Sequence, residues 1–333
     1  MDEPYYAAPC DSQVLESMKR FTTLTNSFYT SFTALSSVKV QLSTPSPICS
    51  ILLSLYYPTS NMVSSICFLT TSDTHGAWPY SSSNPAPKVD VLLHCGDLTQ
   101  VGGLPSFKRA IEDIKSVDAE LKLVIAGNHD LELDESWVRE NMPEDMADHL
   151  ACVTFMKEQK IHGIHYLDEG THMFTLQDGR RFSVYASPYT PEFNGYAFAY
   201  GKEEDRFNIG ATSAAAGVYV IMTHGPPLFP VNPEYDLDVS QDGTHCGCEK
   251  LANAVQRVKP RLHCFGHLHE GRGAMRVGWT DNTQSETKVA SMERVQDEGV
   301  VITVEKDSAG SESLLVNAAM HGPGRGWLVD LIL

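Results

Sequence analysis

From Ile66 onward the chain alternates short apolar runs with polar, glycine-containing turns. Ile66–Thr70, Val89–His94, Leu121–Ala126, Phe182–Ala186, Val218–Thr223 and Arg261–Phe265 have the length and β-branched content of buried strands. Between some of them, Pro105–Val117, Met146–Gln159 and Cys248–Val258 carry apolar residues near helical spacing. Alternating strand and helix units predict an α/β layered core with buried sheets. An apolar strand at Leu314–Asn317 and a final run, Trp327–Leu333, close the chain, and no internal repeat is visible.

Two stretches break this grammar. Residues 1–62 read as an N-terminal extension outside the main core: between Phe21 and Ser65 the one formal charge is Lys39, amid many Ser and Thr. Asp11–Leu24 could form a short helix, and Thr-Pro-Ser-Pro at 44–47 and Tyr-Pro-Thr-Ser at 57–60 are loop-like. A partly disordered segment and a mistranslated or unspliced leader fit this stretch equally. Residues 276–313 read as a polar insertion in the 63–333 domain, with a hairpin around Val300–Val304.

Composition narrows the class. With 333 residues, 42% hydrophobic and 20% charged, the chain is neither wholly disordered, nor collagen-like, nor a multi-span membrane protein. Its net charge of −17 repels phosphate backbones at long range, so long nucleic acid is not an expected partner. Eight scattered cysteines do not form a disulfide scaffold. The start lacks a signal peptide, and the most apolar early stretch, Ile48–Tyr57, is about half a bilayer span. An intracellular, cytoplasmic protein without a membrane partner is the default; oligomeric state is not readable.

Five predicted strand ends carry the same chemistry. They read Ser72-Asp73-Thr74-His75-Gly76, Gly96-Asp97, Gly127-Asn128-His129-Asp130, Thr223-His224-Gly225 and Gly266-His267-Leu268-His269-Glu270. Strand ends of α/β sheets converge on one crevice, and glycine there permits close backbone approach. Asp73 with His75, and His267 with His269, are spaced two apart and project to one face in extended backbone. Asp97 adds a carboxylate able to bridge two cations, Asn128 a neutral oxygen and His224 another imidazole. This nitrogen and oxygen set without thiolate suits Mn, Fe or Zn in a reactive site. Two divalent cations against two carboxylates leave the pocket net positive, so it attracts a phosphate ester despite the acidic exterior. A pair ~3.5–4 Å apart would make hydroxide from a bridging water and clamp an in-line displacement.

The series D-x-H, GD, GNHD, THG, GHLH resembles the calcineurin-like metallophosphoesterase superfamily over about Ile66–Glu270, with Leu315–Ala319 and Trp327–Leu331 extending the match. Asp242-Gly243, Gly247-Cys248 and Leu251 resemble the metallophosphoesterase-domain-containing subgroup with cyclic-nucleotide phosphodiesterase-type activity. The resemblance implies a four-layer αββα sandwich with two mixed β-sheets. It also implies a dinuclear-metal-dependent phosphoester hydrolase, a phosphodiesterase in type, with a cyclic nucleotide or another small phosphoester as substrate. Asp73, His75, Asp97 and His269 would bind one metal; Asp97, Asn128, His224 and His267 would bind the other. His129 would be the general acid. A phosphomonoesterase and a non-catalytic scaffold on the same fold are the alternatives. No Asp-Arg-Gly follows the second motif, unlike calcineurin-type protein phosphatases, and no tyrosine comes shortly after Asp97, unlike purple acid phosphatases.

Other residues carry blander expectations. His94, His162, His165, His172, His263 and His321 read as structural. His245-Cys246-Gly247-Cys248 lacks the second pair of a zinc finger. Asp130, Glu132, Asp134 and Glu135 read as a solvated helix start, Glu270 as a residue orienting a ligand histidine, and Arg325 as part of a flexible turn. The proline-containing loop Ala77–Lys88 is expected to shape substrate access.

Overall fold

Strand alternation sorts the side chains into layers. In β1 (Ser65–Thr71), Ile66 and Phe68 face one way and Leu69 the other; in β2 (Val89–His94), Val91 and Leu93 oppose Leu92. A computed structural model describes residues 64–230, 232–281, 287–296, 299–320 and 324–333. The expectations for residues 1–62 and for His321 lie outside the described residues.

The first sheet runs β13-β15-β1-β2-β3-β4, adding β3 (Ala119–Val124), β4 (Ile164–Tyr166), β13 (Ile302–Val304) and β15 (Trp327–Ile332). The second runs β12-β11-β14-β10-β9-β6-β5. Its strands are β5 (Gly170–Thr175), β6 (Arg181–Ser187), β9 (Val220–Thr223), β10 (Leu262–Phe265), β11 (Gly273–Asp281), β12 (Thr287–Arg294) and β14 (Glu312–Asn317). Two short strands, β7 (Thr190–Pro191) and β8 (Ala199–Tyr200), pair apart from both. Both sheets are mixed: β15 runs antiparallel to β1, and β5 and β11 run antiparallel to β6 and β14.

Inner faces meet in one apolar layer. Ile66, Phe68, Val91, Leu93 and Leu123 from the first sheet share a cluster with Phe182, Val184, Val220, Met222, Leu262 and Val316 from the second. Phe68 and Phe182 meet edge to face at 5.5 Å. Each fully buried side chain of this kind stabilises the fold by roughly 1.5–3 kcal/mol. Outer faces take the helices. Leu69, Leu92 and Val124 receive α1 (Leu104–Lys115) and α3 (Met146–Glu158); Tyr185, Ile221, Phe265 and Leu315 receive α4 (Glu249–Val258). The result is a four-layer αββα sandwich.

Local chemistry explains the helices. α1 begins with Pro105 in its first turn and buries Phe107, Ala110, Ile111 and Ile114, the stripe of a half-buried helix. In α4 the Cys248 sulfur accepts from the Leu251 N–H, and Lys259 ends the helix in a left-handed conformation. A short α2 (Glu135–Asn141) is capped by Asp134, which accepts from the Ser136 and Trp137 N–H groups.

The structure corrects one detail within residues 276–313, the hairpin around Val300–Val304. The first part of this stretch completes β11 and pairs with β12 and β14; the Ile302–Val304 run is a single strand beside β15 in the other sheet, not a hairpin. These strands sit toward the sheet edges and alternate, burying Val277, Trp279, Met292, Ile302 and Val304 while neighbours meet solvent. Half-exposure gives the polar composition that reads as an insertion. No helix among the described residues is long and apolar enough to cross a membrane.

Candidate metal centre

Register brings the chemistry-bearing loops to one edge. Thr71, His94 and Val124 end their strands in adjacent pairing, as do Ser187 with Thr223 and Phe265 with Asn317. Beyond the strand ends the loops interlace. The Asp73 and His75 N–H groups donate to the Gly96 and Asp97 carbonyls at 2.9 and 3.0 Å, and Gly266 donates to His224 at 2.9 Å. The two sheets are tied here as well: Met320 N–H donates to the Ser72 carbonyl at 3.0 Å, and His224 Nδ1 reaches the Cys95 carbonyl at 2.8 Å.

All seven candidate metal ligands meet at this edge. His75 Nε2 lies 3.4 Å from His269 Nε2 and 3.7 Å from Asp97 Oδ2, while His269 Nε2 lies 3.4 Å from Asp73 Oδ1. On the other side, Asn128 Oδ1 is 2.9 Å from His224 Nε2 and 2.8 Å from His267 Nδ1, and His224 Nε2 is 3.5 Å from Asp97 Oδ1. Two groups have ligand atoms within 4.8 Å of one another: Asp73, His75 and His269, and Asp73, Asp97 and His224.

This closeness constrains the backbone. Asp73, His75, Asp97 and His267 hold φ of 54°, 45°, 53° and 69°, a region costing non-glycine residues about 1 kcal/mol or more. Glycines fill the tightest gaps: a Cβ on Gly127 would strike Asp97 Oδ1, and one on Gly266 would strike Asp73 Oδ2. Second partners fix the rings. His75 and His224 donate Nδ1–H to the Thr99 and Cys95 carbonyls at 3.1 and 2.8 Å, which turns Nε2 into the cluster.

Electrostatics agree with a cation site. Burial would raise the Asp73 carboxyl, but the hydrogen bond with His269 and the charges of His224 and His269 hold it well below the carboxylate range. Asp97 is likewise depressed, with His224 overcoming the burial. Burial lowers His224, yet the Asp97 and Asp73 carboxylates push it up to about 9. Burial and the charge of His224 bring His267 down to about 4. Two buried carboxylates held ionised among imidazoles and an amide form a donor set that suits divalent cations.

His129 sits at the rim. Its N–H donates to Asp97 Oδ1 at 2.8 Å and its Nδ1 to the Gln100 carbonyl at 2.7 Å, leaving Nε2 for a reacting group. Its ring lies 5.0 Å from that of His75 and 4.6 Å from that of Tyr196.

Several expectations change. Asp130 is not part of a solvated helix start: it is fully buried and accepts from Gly127 N, Leu98 N, Thr99 N and Thr99 Oγ1 at 2.9–3.2 Å, bracing two ligand loops. Burial and the Asp97 charge raise it to about 7. Glu270 is exposed and lines the pocket. The loop Ala77–Lys88 packs Trp78 over His94 and Tyr80 against Gly326, and the pocket is lined instead by parts of 191–202 and 240–253. His245 pairs with buried Asp238 at 2.6 Å. Arg325 is exposed and bonds Asn84. Sequence reasoning missed Phe193, Tyr196 and Lys202; aromatics inside the turn-rich run Pro191-Glu192-Phe193-Asn194-Gly195-Tyr196 were the available signal.

Two mixed sheets between helices, with carboxylates and imidazoles gathered at their strand ends, are the fold and candidate site of the metallophosphoesterase class. The chain belongs to the calcineurin-like phosphoesterase family, whose model matches residues 68–271. It is 36% identical over 224 residues to Metallophosphoesterase domain-containing protein 1 of Homo sapiens, and equally to that of Mus musculus, covering 64% of this chain. It is 31% identical over 228 residues to UPF0046 protein T07D4.2 of Caenorhabditis elegans, covering 64% of this chain and 54% of that protein. The match spans 63% of the length of the human and mouse relatives.

Proposed function

We propose that the protein is a dinuclear-metal-dependent phosphodiesterase acting on a small phosphoester, a cyclic nucleotide being the substrate that the subgroup resemblance implies. Asp73, His75, Asp97 and His269 would hold one divalent cation (Mn, Fe or Zn), and Asn128, His224 and His267 the other, with Asp97 shared. Bound there, the cations would supply Lewis acidity toward the phosphoryl oxygens and lower the pKa of water. The observation carrying this reading is the convergence of all seven donors from five separate strand ends.

The protein's own groups then have definite tasks. The Thr99 and Cys95 carbonyls keep His75 and His224 in one tautomer, and Asp130 holds the Asp97 and Asn128 loops in register. His129, anchored through Nδ1, delivers a proton from Nε2 to the departing ester oxygen. Water adds to phosphorus as that P–O bond breaks, and the proton it releases replaces the one His129 gave; the products are a phosphomonoester and an alcohol, joined in one molecule when the ester is cyclic.

A panel of phosphodiesters and phosphomonoesters, assayed after reconstitution with Mn, Fe or Zn, tests the reading. Faster turnover of diesters is the expected result. A preference for monoesters overturns the diesterase assignment, and stoichiometric metal without turnover of either class overturns catalysis.

A further inference from the structure

The pocket in front of the cluster has a volume of about 1140 Å³, more than a phosphate group requires and large for a small-molecule site. Among the described residues, several large apolar side chains are exposed, but Phe193, 54% exposed, is the one that lines this pocket. An exposed phenylalanine offers a flat apolar face where aromatic rings ordinarily seek burial.

Its neighbours give that face an orientation. Phe193 lies nearly parallel to Tyr196, with ring centres 6.4 Å apart and planes at 14°. It also stands edge-on to His267, 6.4 Å away, within the candidate metal centre. Tyr196 in turn touches His129, so the aromatic pair joins the metal side of the pocket to the proton-donor side.

The loop carrying the pair is held from several directions. Thr190 and Glu192 donate N–H to the Phe198 and Tyr200 carbonyls at 2.9 and 2.8 Å. Trp137 Nε1 donates to the Gly195 carbonyl and Phe198 N–H to Asp134 Oδ2, both at 2.7 Å. Asp134 also caps α2, so that helix and the loop share one anchor. A ring held this way loses little freedom when a ligand covers it, which is what favours binding through stacking.

We propose that Phe193, braced by Tyr196, determines specificity by stacking on a planar ring attached to the phosphoester, selecting nucleobase-bearing substrates over those with only a sugar or an alkyl group. Stacking accepts every base, because each presents a π-face, and favours purines for their larger overlap. This inference rests on the phosphodiesterase reading but concerns different residues from those that would bind metal or move protons.

The test uses the full chain loaded with metal and a matched pair of substrates: a purine nucleoside cyclic phosphate, and the same sugar cyclic phosphate without its base. Phe193→Ala is expected to lower kcat/KM for the nucleoside substrate roughly ten- to a hundred-fold, mainly through KM, and to leave the baseless substrate within about twofold. Phe193→Trp should retain the preference, and an unchanged melting temperature shows that the fold survives. Equal losses on both substrates, or none on either, overturn the proposal. If the unaltered protein turns over neither, the phosphodiesterase reading fails, and purine nucleoside monophosphate binding by equilibrium dialysis decides the shelf separately: weaker binding to Phe193→Ala supports it, equal binding removes it.

Discussion

His129 can be tested apart from its neighbours because its contact with Asp97 runs through the backbone N–H, which alanine keeps. His129→Ala is expected to retain the metal content of the unaltered protein and to lose about 10²–10⁴-fold in kcat. Elemental analysis and steady-state kinetics on one preparation check both; full activity removes its assigned role. At this scale the candidate ligands were legible, since Asp, Asn and His following apolar runs beside glycine have few structural explanations. Asp130 was not legible. Its partners Leu98 and Thr99 lie about thirty residues earlier, and nothing local distinguishes a buried acceptor of four hydrogen bonds from a solvated acid. Phe193 was hidden for a related reason: an aromatic in a turn-rich loop gains meaning only when folding sets it beside His267.

Strands buried on both faces were the easiest elements to read. Runs such as Val89–His94 and Leu262–Phe265 are apolar on one side toward the opposite sheet and on the other toward helices. The half-exposed β11 and β12 resisted, because alternation with Arg276, Thr280 and Glu293 dilutes their apolar signal. Of α2 only the start was legible, at Asp134 and Glu135; seven residues are too few to establish a period and fix its length. Element packing carries its own prediction. Phe68 is fully buried between the sheets against Phe182, so Phe68→Ala should cost about 3–5 kcal/mol in chemical denaturation. A loss under about 1 kcal/mol would mean that the inner faces do not meet there.

Across the whole molecule, buried histidines link stability to pH. His263, fully buried with Nε2 2.9 Å from Thr223 Oγ1, is brought down to about 3 by burial. Below its ordinary value near 6.5, the unfolded chain binds a proton that the folded chain refuses. Stability therefore falls as pH drops through the window between those values, by about 1.4 kcal/mol per unit for this group. Denaturation at pH 6, 5 and 4 measures the combined slope of all such groups, and His263→Asn should reduce it by this group's share; an unaltered slope would mean that His263 protonates in the folded state. The bonds between Ser72 and Met320 and between Cys95 and His224 lie where the inner layers close over the ligand set. Like a rivet through two plates, that junction denies the halves any sliding that would leave the donors assembled. Under the proposed activity, a substrate would reach that fixed floor past the segments around Phe193 and His245, which line the pocket.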